Sequence, residues 1–151
     1  MKLIIIAGSA VLLGGFFQLP TTPPAKLGLW ETSSTTTMTM QGMNLPPRTS
    51  KVRSCTTAET WAANIGKPQG QDCTKTSETF SGHSYSADVS CSSGAKGHVT
   101  MTWDSPDSSH GTMHLDMNAH GQSVSMDMTT TAHFVSSDCG SVKPGTGVPV
   151  Q

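Results

Sequence analysis

KGHVTMTWDSPDSSHGTMHLDMNAHGQSVSMDMTTTAHFV, residues 96–135, alternates apolar and polar side chains through three runs separated by turn residues. Val99, Met101 and Trp103 share a face of the first run, and Met113, Leu115, Met117 and Ala119 a face of the second. Val124, Met126, Met128, Thr130, Ala132 and Phe134 share a face of the third. A period of two puts successive side chains on opposite faces of a strand, and connections this short join antiparallel neighbours. The stretch is a β-meander with one dry face and one wet face.

Upstream of the meander, Cys73 to Phe80 and Ser84 to Cys91 form a strand pair around Ser81-Gly82-His83. Tyr85, Ala87, Val89 and Cys91 fall on one face of the second strand. Leu27 to Met40 (LGLWETSSTTTMTM) is a long strand rich in β-branched residues, and Thr49 to Cys55 is its return. Between these blocks Thr56 to Asn64 (TTAETWAAN) breaks the alternation. Thr56 followed by Glu59 is a capping-box pattern, and the segment predicts a short helix that lays Trp61 on the sheet. The expectation is one mainly β domain of about seven antiparallel strands, forming a curved open sheet or an incomplete barrel.

The ends differ from this domain in composition. Lys2 and the apolar run Leu3 to Phe17 have the form of a secretory signal, and the run falls short of the roughly 20 residues of a membrane span. The expected organisation is a leader over 1–25, a β-rich domain over 26–139, and a disordered tail over 140–151, where GSVKPGTGVPVQ lacks periodicity. The expected location is periplasmic or secreted. No cysteine lies directly after the apolar run, so no lipid anchor and no stable membrane attachment are expected.

Loss of Lys2 with the leader leaves 8 of the 9 Lys and Arg against 10 Asp and Glu. A chain so close to neutral has no basic patch for nucleic acid. Aromatic residues make up only 5% of it, so Met, Val, Leu and Ala must fill the core, and a modest core of that kind relies on staples. Cys55, Cys73, Cys91 and Cys139 supply them: no two form a Cys-x-x-Cys pair, and an exported chain meets oxidising conditions. Four cysteines allow three connectivities. Pairing of neighbours along the chain, Cys55 with Cys73 and Cys91 with Cys139, is the favoured one.

Leu27-Gly28-Leu29-Trp30-Glu31-Thr32, then Cys55-Thr56-Thr57-Ala58-Glu59, then Asp138-Cys139 occur in that order along the chain. In these three places it resembles the bacterial domain-of-unknown-function family 3617, short exported proteins with a Gly-Leu-Trp-Glu opening. The resemblance covers about residues 27 to 140. It implies export and a small β-rich domain, and it carries no activity, cofactor or catalytic residue with it.

Chemistry is sparse. Gly121-Gln122-Ser123-Val124-Ser125 lacks the second glycine of a nucleophile elbow and sits in a hairpin, Asp88, Asp116 and Asp127 each alternate with apolar residues as on a solvated face, and bridged cysteines are no nucleophiles. No enzyme activity and no cofactor are expected. Met and His are the abundant unusual residues. Met-x-Met at 38/40 and at 126/128 falls on the predicted core face, where Met is a flexible filler. His98, His114 and Asp116 fall on the wet face of adjacent strands and form the alternative, metal-binding candidate.

The leading functional expectation is therefore a binding or accessory module. Its apolar concave face, lined by Trp103, Met101, Met113, Met117, Met126 and Met128, would accept a hydrophobic small molecule or an envelope protein. The alternatives are a His/Met copper-handling protein and a structural envelope protein without a ligand.

Overall fold

The computed structural model describes residues 22–66, 72–119 and 121–150, so most of the expected leader lies outside the described residues. The chain forms strands β1 (Gly28–Met40), β2 (Met43–Asn44) and β3 (Arg48–Thr56), helix α1 (Ala58–Asn64), then β4 (Cys73–Ser81), β5 (Ser84–Cys91), β6 (Lys96–Ser105), β7 (Ser108–Ala119), β8 (Gln122–Ser136) and β9 (Gly147–Pro149). They make one antiparallel sheet in the order β4-β5-β6-β7-β8-β1-β3-β9, with β2 beside β1. The expected meander is β6-β7-β8. Among the described residues no helix is long and apolar enough to cross a membrane.

The alternation of the sequence becomes the two faces of this sheet. Tyr85, Ala87, Val89, Val99, Trp103, Met113 and Leu115 line the inner face and form the main core with Trp61 and Ile65 of the α1 region. Each large side chain buried in this way stabilises the fold by roughly 1.5–3 kcal/mol. Phe80 links helix to sheet, its ring 6.3 Å from that of Trp61 and 5.8 Å from that of Trp103. Gly97 lies opposite Leu115, where a Cβ would collide with the His114 carbonyl, so glycine permits the close approach of β6 to β7.

The helix begins one residue later than the capping pattern predicts. Thr57, not Thr56, is the N-cap, and its partner is Thr60: the Thr60 amide donates to the Thr57 hydroxyl and the Thr57 amide to the Thr60 hydroxyl. Threonine serves the reciprocal role expected of Glu59 because its hydroxyl both accepts and donates.

The Leu27–Thr32 stretch acquires physical content at the junction of β1 with β8. Gly28 has φ +138° and an added Cβ would strike the Ser136 carbonyl, so only glycine fits beside the irregularity between Leu29 and Trp30. Trp30 pairs with Phe134, ring centroids 5.9 Å apart, and donates its indole N–H to the Lys26 carbonyl at 2.9 Å. Glu31 accepts from Arg53 on β3 at 3.0 Å.

Both expected disulfide pairings are corrected: the bridges are Cys55–Cys139 and Cys73–Cys91. The cause is the insertion of β1 between β8 and β3. Leu29 faces Cys55 on one side and Ser136 on the other, which brings the end of β3 beside the segment after β8. Cys73 and Cys91 are directly opposed in the β4–β5 hairpin.

The expectation of a disordered tail is corrected as well. Gly147–Pro149 pairs with Val52–Ser54 and covers that part of the β3 edge. Gly145 donates to the Cys55 carbonyl, so the tail is held beside the Cys55–Cys139 bridge.

Candidate functional site

Helix α1 covers only part of the inner face. Its Trp61, with Ile65 just beyond it, packs over residues of β5, β6 and β7. On the flank made of β8 and β1 the inner-facing side chains are half-buried: Met126, Met128 and Thr130 on β8, and Thr32, Ser34, Thr36, Met38 and Met40 on β1. Register makes the methionines contiguous. Met38 faces Met126, Met126 faces Leu115, and Met128 faces both Met113 and Thr36. Met40 and Met117 lie on either side of Val124.

The six residues expected to line a ligand face are thus divided. Trp103 and Met113 are core residues, 5% and 9% exposed, beneath the α1 region. Met101, Met126 and Met128 are partly buried against that core, and Met117 packs on the small cluster of Cys73, Cys91 and Ala95. Met38 and Met40 complete the patch. Their Met-x-Met alternation, matching that of 126 and 128, signals the same facing, but the adjacency of β1 to β8 is a long-range pairing that local pattern does not express.

What this arrangement can do chemically is to offer flexible thioethers beside threonine and serine hydroxyls. Such a surface adapts to apolar chains of varied shape, and the hydroxyls can bond a polar end.

The outer face is polar throughout its centre. One row across four strands reads Asp88, His98, His114, Asp127, each directly opposite the next. The His98 Nδ1 lies 2.9 Å from an Asp88 carboxylate oxygen. The His114 Nδ1 lies 2.7 Å from Asp127 and its Nε2 3.1 Å from Asp116. The expected wet-face residues His98, His114 and Asp116 are therefore neighbours. They stand on the opposite face from the methionines, so the structure does not bring the two halves of a mixed His/Met copper site together. Among the described residues no group of three or more His, Cys, Asp or Glu side chains is placed to hold a metal ion.

Hydrogen bonds that His114 donates to Asp127 and then to Asp116 raise its pKa above its ordinary 6.5. Hydrogen bonds from Ser125 and His114 lower that of Asp116 below 3.8. A raised imidazole contributes stability in full below its unfolded pKa and loses it as pH rises through the folded one. A lowered carboxyl contributes above its unfolded pKa and loses that contribution as pH falls through the folded one. The cluster is accordingly most stabilising between 3.8 and 6.5. His114→Gln should flatten the alkaline side of the profile, measured by urea unfolding from about pH 5 to about pH 8. An unchanged slope would show the His114 interactions to be energetically silent.

A family model described as "Protein of unknown function (DUF3617)" matches residues 23–139. No curated protein and no solved structure matches the chain.

Proposed function

We propose, from the premise that this chain belongs to the DUF3617 family, that it is an exported binding module whose uncovered inner face takes an elongated apolar ligand or an apolar segment of an envelope partner. The observation that carries this reading is the incomplete cover of the inner face among the described residues. The α1 region shields Tyr85 and Trp103, while Met38, Met40, Met126 and Met128 stay half-buried on the flank beyond it. A Met-rich surface of this kind repacks around ligands at little cost.

Two features support export. Both cysteine pairs are bridged and no free cysteine remains among the described residues, which suits an oxidising compartment. The apolar run Leu3 to Phe17 has the composition of a secretory signal. Amino-terminal sequencing of the protein from the envelope fraction should find a start between about Leu19 and Lys26.

Native mass spectrometry of protein purified from the exporting cell tests the ligand. A retained lipid-sized mass is the expected result, and an apolar fluorescent probe should compete for the same face. Met38→Gln with Met126→Gln should weaken probe binding by about tenfold, the loss of roughly 1.4 kcal/mol on hydrating part of the apolar contact. Met126→Leu with Met128→Leu should preserve both probe binding and fold, at a cost below roughly 1.5 kcal/mol each. Probe affinity unaffected by the Gln pair would place binding elsewhere and favour a structural envelope role.

A further inference from the structure

We propose that Met38, Met40, Met126 and Met128 form an oxidant-reactive site on the inner flank, at which a peroxide converts the thioethers to sulfoxides and turns an apolar strip polar. The four belong to adjacent strands and share one face. Met38 is directly opposite Met126, and this pair is flanked by Met40 on one side and Met128 on the other. Directly opposed side chains have Cβ atoms about 4.5–5.5 Å apart, and long side chains also reach their diagonal neighbours. The four sulfurs therefore belong to one continuous strip.

Exposure separates these methionines from the others. All four are half-buried, whereas Met113 under the α1 region is 9% exposed and Met43, on β2 outside the strip, is 63% exposed. A two-electron oxidant attacks the sulfur it can reach. The four cysteines are bridged to one another, so among the described residues no free thiol competes for the oxidant. Thioethers are thus the reactive sulfur of the folded protein, and the strip gathers them on one surface.

In the reaction a sulfur lone pair attacks one oxygen of hydrogen peroxide. The S–O bond forms as the O–O bond breaks, the thioether gives up two electrons to the peroxide, and the departing hydroxide takes the proton of the transferred oxygen and leaves as water. The product is a polar sulfoxide in place of a flexible apolar side chain. Thr36 is directly opposite Met128, so a hydroxyl donor stands beside the oxygen acquired there. Met126 and Met128 also pack against the main core, so their oxidation disturbs packing as well as polarity. The consequence for binding rests on the function proposed above: an elongated apolar ligand held by the strip is released when the strip becomes polar.

The test is hydrogen peroxide treatment of the disulfide-intact protein, with peptide mass spectrometry to follow each methionine and circular dichroism to confirm that every variant is folded. The four strip methionines should oxidise at least about tenfold faster than Met113. Affinity for an apolar fluorescent probe should fall by at least about tenfold on oxidation, and by the same factor in Met43→Leu. The quadruple variant M38L/M40L/M126L/M128L should change by less than about twofold between untreated and oxidised samples, whatever its starting affinity. The proposal is overturned if Met113 oxidises as fast as the strip, if oxidised wild type keeps its probe affinity, or if the quadruple variant loses as large a factor as wild type. Absence of probe binding by the untreated wild type refutes the ligand reading alone. Selective oxidation of the strip then upholds the reactive site, and uniform oxidation overturns it.

Discussion

Replacing Cys55 and Cys139 together by alanine is expected to lower the free energy of unfolding by about 4.5 kcal/mol, the chain-entropy value for a loop of 84 residues. That is a large share of the roughly 5–15 kcal/mol available to a domain. The same change at Cys73 and Cys91 opens a loop of 18 and should cost about 3 kcal/mol. Beyond loop length, the two bridges differ in what they join. Cys73 and Cys91 staple a hairpin that backbone pairing already holds, whereas Cys55–Cys139 ties β3 to the segment after β8 and holds the tail that covers the β3 edge. Urea unfolding of the oxidised variants measures both. A smaller loss at Cys55/Cys139 than at Cys73/Cys91 would contradict the ordering.

The second large effect is expected at Trp61. Its truncation to alanine should cost about 3–5 kcal/mol, because the indole is 8% exposed and packs with Phe80 and the inner face of the sheet. The same truncation uncovers Phe80 and Trp103 and extends the apolar surface beyond the methionine flank, so binding of an apolar probe should rise in the fraction that remains folded. Trp61→Phe serves as the control. The Trp61 indole nitrogen is buried with no hydrogen-bond partner among the described residues, so phenylalanine gives up packing area but no polar contact. Its cost should be below roughly 1.5 kcal/mol. Equal losses in the two variants would mean that the ring does not act as a cover.

The candidate surfaces were legible in the sequence in proportion to how local their geometry is. Strand faces follow from a period of two, so the separation of methionines from histidines onto opposite faces was readable before any coordinates. The short turn that sets Ser105 opposite Ser108 would by itself place His98 opposite Leu115, and only the register shift between Trp103 and Ser105 brings His98 opposite His114. The extension of the Met patch to Met38 and Met40 depends on β1 pairing with β8, residues about 90 apart in the chain, and no local signal reports such a closure.

By itself the sequence determined the mainly β class, the β6-β7-β8 meander, the inward facing of Tyr85, Val99 and Leu115, and the short helix that carries Trp61. These are consequences of side-chain alternation, turn residues and capping, each acting within a few positions. Only the tertiary structure decided that β1 lies between β8 and β3, that Cys55 therefore meets Cys139, and that Gly147–Pro149 completes the edge of β3. The physical reason is common to all three. Each depends on which strand edges satisfy one another's backbone hydrogen bonds, and unpaired edges are chemically alike in sequence until a whole sheet has chosen among them.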